Sequence, residues 1–350
     1  MSTPKASRPP GSKGDPSEAG AGRRPILLDV ARRAGVSRAT ASLVIRDAAG
    51  PSAESRERVL RAAAELGYRA DQAARSLRRR NSRLIGVMFS VEEPFHADLI
   101  KSIYAATEEV GYDVALSAVA PSHDERRAVE ALIASRCEAV ILIGAREACT
   151  IDFGTRLPVV EIGRPPNETV FDAVHTADDE GARLAVDHLV SLGHQEIVHI
   201  DGGEQPGAAA RRAGYLDAMR GHGLESRARV LPGDYTELSG SGAARALLAG
   251  GELPTAVVAG NDQCAIGLLV ELRRAGVDVP GRVSVVGYDD SSLARLAHID
   301  LTTVRQDTEQ LARLAVQAAV ARLDAGLEGE TRDFSLAPHL VIRGSTGPAR

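Results

Sequence analysis

Between Leu84 and Gly287 short β-branched runs alternate with amphipathic helical stretches, and this alternation constrains the fold more than any other feature of the chain. The runs are Leu84–Phe89, Asp113–Ala118, Ala139–Gly144, Val159–Gly163, Ile197–Asp201, Ala256–Ala259 and Val283–Gly287. Helical stretches lie near Ala97–Val110, Asp124–Ser135, Asp178–Leu192, Ala208–Gly221, Gly240–Ala249 and Asp262–Ala275. Strands separated by helices pair in parallel, because each helix returns the chain to the edge where the previous strand began, and the helices then cover both faces. Some 260 residues of this pattern exceed what one sheet needs, so two lobes with a ligand cleft between them are expected.

The stretch from Ile26 to Tyr68 reads as three short helices. Leu28–Ala34 ends at Gly35. Ser37 caps Arg38–Arg46, whose Ala41, Val44 and Ile45 follow helical spacing. Ser52 caps Ala53–Leu66, with Val59, Leu60, Ala63 and Leu66 expected inward and Gly67 at its end. Two short helices joined by a tight glycine-containing turn, closed by a third, form a helix-turn-helix. Residues 1–22 are Pro, Gly or Ser at twelve positions, too polar to offset their ordering entropy, and a disordered tail is expected.

Charge separates these parts. The formal net charge is −5, yet residues 23–83 hold fifteen Arg against six acidic residues, a net of +9, and residues 1–22 add +1. The remainder carries −5 − 9 − 1 = −15. A basic module on an acidic body is drawn to phosphates in one orientation, although a solvated Arg-rich helix face would give the same count. No apolar run approaches the ~20 residues of a membrane span, and no apolar segment follows Lys5 and Arg8 as in a signal peptide. Cys137, Cys149 and Cys264 lie too far apart for a C-x-x-C site, so a reducing, cytoplasmic setting is expected.

The residues also resemble a family. Leu28-Asp29-Val30-Ala31-Arg32-Arg33-Ala34-Gly35-Val36-Ser37-Arg38-Ala39-Thr40-Ala41-Ser42 is similar to the headpiece of the LacI/GalR family of bacterial transcription regulators. Leu66-Gly67-Tyr68 and Ala73-Ala74-Arg75-Ser76-Leu77 resemble its third-helix end and hinge helix. Gly260-Asn261-Asp262, Ser284-Val285-Val286-Gly287-Tyr288-Asp289-Asp290 and Leu301-Thr302-Thr303-Val304-Arg305-Gln306 continue the match in the family's order, to about residue 346. The resemblance implies an α/β chain with an all-α headpiece. A lambda-repressor-like helix-turn-helix (26–70) and a hinge helix with linker (71–83) precede a two-lobed body (84–346) of the type I periplasmic-binding-protein-like fold, with tails at 1–25 and 347–350. It implies a regulator, a repressor by preference, that binds a pseudo-palindromic operator in double-stranded DNA as a homodimer and takes a small, sugar-like effector. No cofactor, metal, membrane or enzymatic activity is implied.

A helix-turn-helix presents the start of its second helix to base edges. That places Arg38, Ala39 and Ser42 toward bases, with Ser37 and Thr40 within reach of phosphates; Arg38 suits guanine O6 and N7. Leu43 stands where many family members carry Arg, and Arg46 where Asn is usual. By the resemblance, Leu77 is a minor-groove wedge with Ala74 beside it, and Arg78 meets phosphate. In the cleft, Arg211, Asn261 and Asp289 form a polar clamp, Phe95 and Tyr235 pack on the ligand, and Arg164 lies near the rim. Alternatives are a turn cap for Asp289 and a surface ion pair for Arg211. Gly163 and Ala177-Asp178 depart from the family, which has Asp and Asp-Asn there. His194, at a helix end, is read as structural, meeting the negative end of the dipole. Ser239-Gly240-Ser241-Gly242 is not a nucleophile elbow, and no P-loop is present. The rival functions are a secreted sugar-binding receptor and a non-specific architectural DNA-binding protein.

Overall fold

The structure, a computed structural model, describes residues 25–68, 82–146, 157–164, 170–251, 253–326 and 330–350. The chain divides into two compact units, within residues 1–81 and 82–350. Most of tail 1–25 and of hinge 71–83, including Ala74, Leu77 and Arg78, lies outside the described residues.

The first unit contains α1 (Leu27–Ala34), α2 (Arg38–Ile45) and α3 (Ala53–Glu65). Gly35 takes the left-handed conformation (φ 64°) that lets the chain turn between α1 and α2. Ser37 Oγ accepts from Thr40 N at 3.0 Å and starts α2. Val30, Ala31, Ala34, Ala41, Val44, Val59, Ala62 and Ala63 make the core. Leu60 is 52% exposed, contrary to expectation. The buried positions 59, 62 and 63 and the half-buried 66 follow the i, i+3, i+4, i+7 rule, and Leu60 lies one residue, about 100° of helix rotation, away from that stripe.

The second unit holds two six-stranded sheets. The first contains β1 (Leu84–Ser90), β2 (Asp113–Val119), β3 (Ala139–Ile143), β4 (Val159–Ile162), β5 (Asp172–Thr176) and β11 (Asp333–Leu336), in the order β11-β5-β4-β3-β1-β2. The second contains β6 (Ile197–Ile200), β7 (Arg229–Leu231), β8 (Ala256–Ala259), β9 (Ser284–Asp289), β10 (Thr302–Arg305) and β12 (His339–Val341), in the order β12-β10-β9-β8-β6-β7. All pairings are parallel except β10 with β12. Runs such as Ala139–Ile143 are buried throughout, as strands covered on both faces must be.

On one face of the first sheet, Leu99 and Ile103 of α4 (Pro94–Glu109) pack with Leu311 and Ala315 of α10 (Thr308–Ala325). Val129 and Leu132 of α5 (Glu125–Ala134) cover the other. The second sheet lies between α6 (Asp178–Ser191) with α7 (Ala208–Gly221) and α8 (Glu237–Ala249) with α9 (Asp262–Arg274). The chain passes between lobes three times, at β5→α6, β10→α10 and β11→β12. Two alternating α/β lobes are what the sequence pattern predicts. Residues beyond 346 are fastened to the body: Gly347 O bonds His194 Nε2, and Ala349 N donates to Leu192 O.

Candidate functional site

Parallel strands direct their carboxyl ends to one side, so residues that follow β1, β3, β8 and β9 converge between the lobes. There they line a cavity of about 220 Å³. Phe95, Arg211, Tyr235, Asn261 and Asp289 all border it. Arg164 does not; it lines a neighbouring cavity, and its Nε and Nη2 donate to the carbonyls of Ala145 and Arg146.

Arg211 stands in the first turn of α7 yet is only 5% exposed, which excludes a surface ion pair. Its Nε bonds Asp178 Oδ1 at 2.8 Å and its Nη1 bonds Gly260 O at 2.7 Å, with Asp289 Oδ1 3.8 Å away. The guanidinium lies 3.6 Å from the Tyr288 ring centre and 5.2 Å from that of Tyr235. Burial alone would drive it toward neutrality; Asp178, the two tyrosines and Asp289 reverse this and raise its pKa. Asp178, at a position where the sequence departs from the family it resembles, thus supplies the main partner of Arg211.

Tyr235 is itself buried and serves Arg211 more than open space. Its ring fills the room left by two glycines: a Cβ on Gly202 would stand 2.1 Å from it, and one on Gly260 2.7 Å. Asn261 caps α9, Oδ1 accepting from Cys264 N at 2.8 Å, while its Nδ2 makes no hydrogen bond with the described residues. Asp289, last in β9, accepts from Gln306 Nε2 at 2.8 Å. Burial pushes its carboxyl up to about 6, against the pull of Arg211 and Gln306.

Three further cavity residues are not among those the sequence assigns to the site. Asp178 has the look of an ordinary acidic first turn. His96 Nδ1 accepts from Ser90 N at 3.1 Å, and burial lowers its pKa to about 4, so the ring is neutral with its proton on Nε2. Glu93 precedes α4 without making a cap bond, and burial together with Asp289 raises it to about 7.

Behind Asp289 lies Asp262, fully enclosed, with Oδ2 accepting from Ser291 N and Oγ, and Oδ1 beside Thr303 Oγ1. Burial and Asp289 push its carboxyl up to about 8, so it stays protonated at neutral pH. The native state then holds a proton that the unfolded chain releases near the ordinary aspartate value of 3.8, and stability falls as pH rises between those values. Asn carries its NH₂ where that proton sits. Asp262→Asn is therefore expected to flatten the decline between pH 5 and 8, which reaches up to about 1.4 kcal/mol per pH unit for one group. Urea midpoints at each pH test this; equal slopes in both proteins would refute it.

His175 contacts Thr176 O and Asp333, and His199 contacts Val258 O. Burial lowers the pKa of His194, so it meets Gly347 O as a neutral donor, not as a charge on a helix dipole.

In the first unit Ser37, Arg38, Ala39 and Arg46 are exposed along α2, with Thr40, Ser42 and Leu43 half-buried. Arg33, Arg56 and Arg61 pair with Glu65, Asp47 and Glu57. Arg46 Nε donates to Ser42 O at 3.0 Å. Arg32, Arg38 and Arg58 have no such partner among the described residues, leaving their donors for an outside acceptor.

Residues 26–71 match the bacterial regulatory proteins of the lacI family, and residues 186–346 a periplasmic binding protein-like domain. The chain is 33% identical over 315 residues to the lactose operon repressor of Escherichia coli (strain K12), covering 86% of this chain and 84% of that one. A LacI transcriptional regulator from a Rhodococcus species shares 48% identity, with a TM-score of 0.71 over 76% of this chain and 99% of its own. The lac repressor dimer bound to operator and the anti-inducer ONPF shares 30%, with a TM-score of 0.78 over 93% of this chain and 100% of its own. The relatives are regulators, not enzymes. The chain belongs to the lacI family of bacterial regulatory proteins, DNA-binding transcriptional repressors governed by small-molecule effectors.

Proposed function

We propose that this repressor binds a pseudo-palindromic operator as a homodimer in the cytoplasm, on the nucleoid, and that a sugar-like effector in the inter-lobe cavity controls its affinity. The observation that carries the effector reading is the cavity itself. A buried guanidinium, a carboxylate and a carboxamide converge beside Phe95, and such groups take and give the paired hydrogen bonds that vicinal hydroxyls offer. His96 and Phe95 come from one lobe, Arg211, Asn261 and Asp289 from the other. A ligand that touches both favours one lobe angle. The segment 71–83, with Leu77 as wedge, Ala74 beside it and Arg78 on phosphate, passes that change to the minor groove. A dimer fits a two-fold site, and the lac repressor to which the chain is similar is a dimer on its operator.

Ser37 and Thr40 serve phosphates; Arg38, Ala39, Ser42 and Leu43 face bases, with Arg46 at the helix end. On an operator selected from random DNA, Arg38→Ala is expected to lose about 1–3 kcal/mol of binding and to relax preference at one base pair per half-site. Fluorescence anisotropy with base-substituted duplexes reads both quantities. Equal affinity of the parent for selected and random duplexes would remove the operator reading in favour of an architectural protein.

A further inference from the structure

Acidic side chains outnumber basic ones in the cavity lining, five to two. Most are already engaged. Asp178 and Asp289 face Arg211, and Glu125 accepts from Arg146 N. Glu93 is different: its carboxylate makes no hydrogen bond or ion pair with the described residues. The charges that act on it from the opposite lobe are those of Asp289, Arg211 and Asp234, two acids to one base. Its lobe supplies Glu92, another acid.

A ligand that fills the cavity strips the remaining water from Glu93. Left bare, a carboxylate there is costly, and an anionic ligand would add repulsion. A hydroxyl supplies one donor but no counter-charge, so beside it Glu93, already raised to about 7, takes up a proton, whereas a cation holds it as the carboxylate. An ammonium group supplies both donor and charge. The rest of the wall suits hydroxyls: Asp289 accepts, while Asn261 Nδ2 and His96 Nε2 donate. Building on the effector cavity proposed above, we infer that the effector is a polyhydroxylated amine of the amino-sugar class, its ammonium group paired with Glu93 and its hydroxyls with Asp289, Asn261 and His96.

The test is calorimetric titration of the full chain at low salt and neutral pH with three matched pairs: glucose and glucosamine, galactose and galactosamine, mannose and mannosamine. The parent, Glu93→Gln and Asp289→Ala are compared, each first shown by thermal melting to be folded. At least one amino sugar is expected to bind about tenfold or more tightly than its neutral partner, and Glu93→Gln to bring the two together. Neutral sugars that match or exceed their amines overturn the inference, as does a preference that survives Glu93→Gln. If neutral sugars bind and Asp289→Ala weakens them, only the amine assignment fails. If no compound binds the parent, or Asp289→Ala alters none of them, the cavity reading fails as well.

Discussion

Arg211→Ala is expected to destabilise the body by about 3–5 kcal/mol and to abolish the response of DNA binding to effector. The large figure does not come from the strength of the lost ion pair. Arg211 stands against Asp178 and Asp289, both under a tenth exposed, and its removal leaves two carboxylates enclosed without a counter-charge. It also empties the space between the Tyr235 and Tyr288 rings. Lysine does not repair this, because an ammonium group cannot bond Asp178 and the Gly260 carbonyl in one plane while stacking on two rings. The three helices of the headpiece have their own core, so the variant should still bind operator below its melting point while ignoring ligand. Urea unfolding followed by circular dichroism, beside anisotropy with and without ligand, separates these effects. A variant as stable as the parent would show that the buried charges find another solution.

Gly214→Ala is expected to cost about 3 kcal/mol, at the upper end for overpacking, whereas Gly221→Ala in the same helix should be neutral or stabilising by up to about 1 kcal/mol. A Cβ on Gly214 would lie 2.2 Å from the Asp179 carbonyl oxygen, so α6 and α7 would have to separate. A Cβ on Gly221 meets nothing within 4 Å. The two changes are chemically identical and share one helix, which removes propensity as an explanation of any difference. Asp178 opens α6 and Arg211 lies on α7, so separation of the helices also stretches the pair that organises the cavity. Effector affinity should fall together with stability. Chemical denaturation of both variants decides the point, and equal stabilities would mean that the helix contact yields easily.

The elements legible in the sequence were those with strong contrast. Val, Ile and Leu runs gave β1, β3, β8 and most of β9, and clear caps at Ser37 and Ser52 gave helix starts. The elements that escaped are β5, β7, β10, β11, β12 and α10, most of them around the crossings between lobes. Strand β5 begins with an aspartate and carries a histidine, and β11 and β12 are only three or four residues of mixed character. Helix α10 buries only Leu311 and Val316 among Ala312, Ala315, Ala318 and Ala319, a face that stands out little from the alanines around it.

The cavity divided in the same way. Arg211, Asn261 and Asp289 sit at junctions between strand and helix, where position alone suggests a site. His96 and Glu93 depend on which backbone donors and which opposite-lobe charges surround them, and those neighbours are distant in sequence. The Asp178 carboxylate resembles any helix-start acid until Arg211, thirty-three residues later, is brought against it.

The three passages between lobes have a consequence for how the chain is made. As it leaves the ribosome, the first lobe cannot finish covering the Ile141 and Val160 face of its sheet, where α4 already packs, until α10 emerges, nor complete its edge until β11 follows at Asp333–Leu336. The second lobe, begun later, closes on β12 almost at once. Each lobe is thus assembled from separate stretches of sequence, and a chain that stops before residue 308 lacks cover for a lobe already synthesised. Premature termination is therefore expected to yield aggregation-prone fragments, not half-working sensors. Only the headpiece, complete by residue 68, can close its core from the first part of the message.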